Sequence, residues 1–192
     1  MVLRCFIAIE IPDAVKRAVA GTMDSLKKSG ADVKWAVYEN IHITLQFLGA
    51  TDDSVIPQLK EALVKILSPY PPFYITISQV GSFPGGRRPR VLWIGLEESE
   101  TLINLQKDIA NGMVKFGYPK EERGFTPHIT IGRVKTNRNL HELMNRLDEI
   151  RAVSFSGFAV EKIVLMKSEL KPSGAKHYSL AEIPCGRRNN VG

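Results

Sequence analysis

Cysteine is nearly absent from this chain. Cys5 and Cys185 are its only two, far apart and outside any CxxC spacing. That argues against a disulfide framework or a thiolate metal site and points to free thiols in a reducing compartment. No apolar run is long enough to span a bilayer, and Met1 leads almost directly into a strand-like run rather than a basic region with a long apolar segment. No membrane partner is therefore expected, and a cytoplasmic protein is. Acidic residues are outnumbered: 20 Asp and Glu against 26 Lys and Arg leave a formal charge of +6, which tilts the choice of partner toward a polyanion. Histidine occurs only four times, so where each falls carries weight. The rest, at 44% hydrophobic and 24% charged over 192 residues, is ordinary for a globular protein able to bury a sizeable core.

Hydrophobic spacing divides the chain into strands and helices. Residues 3–9 (LRCFIAI) are nearly all apolar and read as a strand buried on both faces. From Pro12 and Asp13, Val15, Val19, Met23 and Leu26 recur at helical spacing until Lys27, Lys28 and Gly30. Extended pieces follow at 33–36 and 41–49. A helix opened by residues 51–54 then places Val55, Leu59, Leu63 and Ile66 on one face, and Ser68-Pro-Tyr-Pro-Pro stops it. Residues 73–80 alternate as one half-buried strand. Beyond a turn-rich loop carrying Arg87, Arg88 and Arg90 come a strand at 91–96, a helix at 99–116, a strand at 125–134 and a helix at 140–150. Closing strands are expected at 153–160, 163–167 and 178–183, and residues 186–192 as a loose tail.

Two of these strands carry the same tetrad, His-x-Thr-apolar: His42 to Leu45 and His128 to Ile131. Alternation predicts Ile41, Ile43, Leu45 and Phe47 on one face of the first strand and His42, Thr44 and Gln46 on the other. In the second, Pro127, Ile129 and Ile131 oppose Thr126, His128 and Thr130. The surrounding order strand, helix, tetrad strand, helix, strand occurs over residues 3–80 and again over 91–160. The step from His42 to His128 nearly equals that from Glu10 to Glu97. Such a repeat predicts one bilobal domain over residues 1–185. Its fold class is α+β, with two pseudo-twofold-related, mostly antiparallel sheets lining a central groove and helices on the outer faces. The symmetry would bring both tetrads to that groove.

A lone strand histidine is more often structural than catalytic, but a doubled His-x-Thr reverses that balance. Two imidazoles can divide general base and general acid duty, and two threonine hydroxyls suit a tetrahedral anion. Together they describe in-line phosphodiester cleavage. Arg133 stands where it could steady the charge on phosphorus. A regular pleat would put it with Ile129 and Ile131, whereas a bulge at Gly132 would re-aim it. Metal binding is the competing chemistry, yet neither tetrad carries a nearby Asp, Glu or Cys to complete a coordination shell, and threonine is a poor zinc ligand. No metal or other cofactor is expected. His141 reads as solvated, His177 as a loop residue without a partner, and Trp35 and Trp93 as core. The Arg87, Arg88 and Arg90 loop is either a solvated turn or a clamp on backbone phosphates. A binding module that holds nucleotides in the same groove without turnover is the rival from another class.

At these residues the chain resembles the 2H phosphoesterase superfamily, and within it the RNA 2′,3′-cyclic phosphodiesterases, long called 2′-5′ RNA ligases. The matching text is FIAIEIP at 6–12, ENIHITLQFLG at 39–49, RVLWIGL at 90–96 and FTPHITIGRVK at 125–135. The likeness runs from Cys5 to Ile183. It implies a bilobal fold, no metal requirement, and opening of a terminal 2′,3′-cyclic phosphate to a 2′-phosphate. Residue by residue it implies that His42 donates a proton to the leaving 3′ oxygen, that His128 activates water, and that Thr44 and Thr130 hold phosphate oxygens. The implied partner is RNA ending in a 2′,3′-cyclic phosphate, tRNA fragments included; a monomer is expected, because both halves of the site lie in one chain. Joining RNA ends through a 2′-5′ linkage, the reverse displacement, and hydrolysis of a small cyclic nucleotide stand as alternatives.

Overall fold

The computed structural model describes residues 1–86, 88–120, 124–151, 155–172 and 174–186 and is α+β. In chain order its elements are β1 (Val2–Glu10), α1 (Asp13–Lys27), β2 (Val33–Trp35), β3 (His42–Asp52), α2 (Ile56–Leu67), β4 (Phe73–Ile75) and β5 (Ile77–Phe83). Then follow β6 (Val91–Leu96), α3 (Glu100–Val114), β7 (His128–Val134), α4 (Leu140–Glu149), β8 (Phe158–Val160), β9 (Lys162–Lys171) and β10 (Gly174–Pro184). Arg87, part of the expected strand at 153–160, and the tail from residue 187 on lie outside the described residues.

The helices form where the apolar spacing placed them. The first buries Val15, Val19, Met23 and Leu26; the third buries Leu102, Leu105, Ile109 and Met113, and Ser99 caps its start by accepting from the Leu102 amide. Residues 51 and 52, expected in the opening of α2, instead end β3, and Asp52 caps a short 3-10 turn by accepting from the Ser54 amide at 2.9 Å. The strand expected at 73–80 is two strands: β4 pairs with β8 in a small sheet, while β5 joins the main one.

The main sheet is antiparallel, in the order β10-β9-β1-β3-β7-β6-β5, with β2 also paired to β7. The two sheets expected from the repeat are the halves of this one sheet. They meet at a single registered pair, Ile43 opposite Ile129, in the two tetrad strands. Both isoleucines are fully buried, so the helix-covered core runs continuously beneath the junction.

Candidate active site

Strand alternation and this junction bring the two tetrads together. Ile43 and Ile129 point into the core, so their neighbours His42, Thr44, His128 and Thr130 all project from the opposite face. Extending the antiparallel pairing sets His42 across from Thr130 and Thr44 across from His128. The two histidines are then diagonal neighbours, roughly 7–8 Å apart on ideal strand geometry with their Cβ atoms somewhat closer.

Both rings are held in the same way. His42 Nδ1 lies 2.6 Å from the carbonyl of Asn40, and His128 Nδ1 lies 2.8 Å from the carbonyl of Thr126. A carbonyl can only accept, so each Nδ1 carries its proton and donates, and Nε2 is the ring nitrogen left for other partners. At the first tetrad Thr44 donates its hydroxyl to that Nε2 at 3.0 Å; among the described residues Thr130 makes no equivalent bond to His128.

Their surroundings differ. Phe6, Ala8, Val164 and Met166 form a small buried cluster of their own. Register places Phe6 and Ala8 on the face of His42 and Thr44. The Phe6 ring lies 4.9 Å from that of His42, and His177 stands edge-on to both, at 4.9 Å from Phe6 and 5.4 Å from His42. Burial pushes the His42 imidazole down to about 4; the bond to Asn40 opposes this, and the charges of His177, Lys16 and His128 add to it. Burial lowers His177 as well. At the second tetrad, Phe83 stands edge-on to His128 at 5.3 Å and stacks on Trp93 at 5.0 Å. Gly81 makes room for that indole, since a Cβ there would fall 2.4 Å from Trp93 Cζ2.

Each tetrad strand carries a β-bulge at its fourth residue. The partners of Ile7 and Ala8 are Gln46 and Thr44, so Leu45 is the extra residue. The partners of Leu92 and Trp93 are Gly132 and Thr130, so Ile131 is. Beyond each bulge the faces exchange. The regular alternation expected for the first strand is thereby corrected: Gln46 is 1% exposed and Phe47 58% exposed. Gln46 turns inward and donates to the carbonyl of Pro119 at 3.1 Å, while Gln106 from α3 donates to the carbonyl of the bulged Leu45 at 3.3 Å. In the second strand the bulge carries Arg133 away from Ile129 and Ile131, onto the face of His128 and Thr130, where it is exposed. Gly132 faces the core, against Val33 and Trp35.

Of the residues expected in the site, His42, Thr44, His128 and Thr130 share one patch, with Arg133 at its rim. His141 is exposed on α4. His177 corrects the loop reading: it lies in β10, and its Nδ1 is buried without a partner among the described residues. Trp93 corrects the core reading, lying half-buried on the face of Thr130. No spacing in the sequence signalled Phe6, Phe83 or His177, because cross-strand register brings them in. Among the described residues no three His, Cys, Asp or Glu side chains cluster closely enough to hold a metal ion, and no helix is long and apolar enough to cross a membrane.

Comparison with known proteins shows the family and the fold. The model of the 2′-5′ RNA ligase superfamily matches residues 11–172. A Methanothermobacter thermautotrophicus protein named RNA 2′,3′-cyclic phosphodiesterase is 35% identical over 91% of this chain and 94% of its own. Its namesake from Methanocaldococcus jannaschii is 37% identical over 90% and 95%. Among solved structures, a Thermus thermophilus protein superposes with a TM-score of 0.82 at 24% identity, covering 97% of this chain and 100% of that one. E. coli LigT complexed with 3′-AMP follows at 0.74 and 22%, covering 96% and 99%; at these identities the likeness concerns the fold.

Proposed function

This chain belongs to the 2′-5′ RNA ligase superfamily, and on that premise we propose that it is an RNA 2′,3′-cyclic phosphodiesterase, opening a terminal 2′,3′-cyclic phosphate to a 2′-phosphate. The observation that carries the reading is the pair of imidazoles on one sheet face. Each is fixed by a carbonyl at Nδ1 so that Nε2 is the working nitrogen, and each has a threonine two residues on. The RNA substrate is supported by the names of the relatives and by the basic charge.

The family resemblance assigns the direction. Water attacks phosphorus and its proton passes to Nε2 of His128. The bond from phosphorus to O3′ breaks, and O3′ takes a proton from Nε2 of His42. The products are a 3′-hydroxyl and a 2′-phosphomonoester, with His42 neutral and His128 charged; exchange with solvent resets both. Thr44 and Thr130 hold non-bridging oxygens as charge builds on them, and Arg133 adds positive charge at the rim. His42 must be charged in the complex, although burial keeps it neutral in the free protein. The phosphate anion supplies the compensation. Once Nε2 carries a proton it no longer accepts from Thr44, and that hydroxyl is released to donate to phosphate.

The test is to supply an RNA ending in a 2′,3′-cyclic phosphate and identify the product by phosphorus NMR. A 2′-phosphate is expected; a 3′-phosphate would reject the regiochemistry, and no turnover would favour a binding module. His42→Ala and His128→Ala should each lower kcat by at least roughly 100-fold without unfolding the protein. A near-normal rate in either variant rejects the two-histidine mechanism.

A further inference from the structure

The bulge at Ile131 has a second effect. On the site face of β7 the order is His128, Thr130, Arg133, and directly opposite Arg133 in β2 stands Lys34. Cross-strand partners project from the same face. Val33 and Trp35, the neighbours of Lys34, pack on the core and over Gly132, so Lys34 projects with Arg133. Both side chains are exposed, and among the described residues neither forms an ion pair. Glu10, the carboxylate opposite His42, is instead held by Lys162 at 3.5 Å.

Like charges directly opposite on one sheet face repel and destabilise the pairing. Nothing in the packing of the three-residue β2 demands a cation at position 34, whose side chain supports no neighbour in the core. An anion lying between the two side chains would turn the repulsion into attraction twice over. The place of this pair says which anion. It is the next station along the strand beyond the hydroxyl of Thr130, and an RNA strand whose terminal phosphate occupies the first station carries its next negative charge one nucleotide further in.

We propose that Lys34 and Arg133 form a second anion subsite, which holds the internal phosphodiester adjacent to the terminal nucleotide of the substrate RNA. The subsite makes the enzyme favour an oligonucleotide end over a free nucleoside 2′,3′-cyclic phosphate. This rests on the cyclic phosphodiesterase reading, and it assigns to Lys34 a specificity role outside the chemical step.

Three substrates test it: a nucleoside 2′,3′-cyclic phosphate, a dinucleotide with the same cyclic end, and that dinucleotide with its internal linkage replaced by an uncharged methylphosphonate. The dinucleotide should exceed the nucleoside in kcat/KM by roughly 10-fold, the scale of one charge-assisted hydrogen bond, mainly through KM. The methylphosphonate should fall back to the nucleoside level. Lys34→Gln should abolish the dinucleotide advantage and leave the nucleoside rate unchanged. Equal use of phosphodiester and methylphosphonate by the wild type overturns the proposal, as does a Lys34→Gln loss shared equally by all three substrates. If no substrate turns over, the functional reading fails. The subsite is then judged by fluorescence anisotropy with a labelled dinucleotide 3′-phosphate, and equal affinity of wild type and Lys34→Gln overturns it.

Discussion

Binding of a cyclic phosphate should draw a proton out of solution and onto His42. In the free protein burial holds this imidazole down at about 4. At pH 7 only about one molecule in a thousand then carries the charge that a proton donor needs. Raising His42 to half occupancy at that pH takes about three pKa units, or ~4 kcal/mol. A unit negative charge roughly 4 Å from the ring, in surroundings of effective dielectric near 20, supplies about 4 kcal/mol. The two magnitudes match, so ligation should carry His42 from neutral to about half charged. The assay is titration calorimetry of a His128→Ala variant, which binds without turnover, with a nucleoside 2′,3′-cyclic phosphate at pH 7. The experiment is repeated in buffers of differing ionisation enthalpy. A phosphodiester does not titrate near neutrality, so the slope of observed heat against buffer enthalpy counts protons taken up by the protein. About 0.5 per ligand is expected, persisting in His177→Phe and vanishing when His42 is also replaced. A zero slope with intact binding would mean that His42 stays neutral in the complex and cannot be the donor, and the roles of the two histidines would have to be exchanged.

Two further outcomes follow from the same geometry. Because the folded state resists protonation of His42, its contribution to stability is complete above its unfolded value of 6.5 and is lost as pH falls toward 4. Denaturant titrations should show a decline of up to roughly 3 kcal/mol across that window, and a His42→Phe variant should flatten it; an unchanged slope would show that His42 is not desolvated. Gln106→Leu should cost about 1–3 kcal/mol by leaving the carbonyl of the bulged Leu45 buried without its donor, and a thermal melt indistinguishable from wild type would refute that role for the amide.

The sequence was most readable where one physical signal dominated. The helical stripes of α1 and α3 and the apolar run of β6 come from burial alone, so spacing locates them. The tetrads were legible because chemistry and periodicity coincide at His42, Thr44, His128 and Thr130. What escaped was set by partners distant in the chain. Gln46 and Phe47 exchange faces because one extra residue is accommodated opposite Ile7 and Ala8, and that insertion is invisible until β1 and β3 are paired. The split of residues 73–80 depends on β8, far along the chain, which captures Phe73–Ile75 for a separate sheet. Phe6 meets His42 because β1 pairs with β3, and His177 reaches both rings from β10, across β9, an order that no local pattern encodes. Of Arg133 the sequence offered two orientations, and the register at Ile131 chose between them.

The paired bulges act as joints. On the near side of each, the His-x-Thr segment is locked by the isoleucine junction and the core beneath it. On the far side, the strand is free to present whichever residue the added position turns outward. The same joint offers an aromatic ring at Phe47 in one half and a cation at Arg133 in the other. Substitution there can change what this face presents without moving the His-x-Thr segments. Removing the bulged residue itself would shift everything beyond it to the other face at one stroke. An engineer seeking a new substrate should therefore vary positions 47 and 133 and leave 45 and 131 alone.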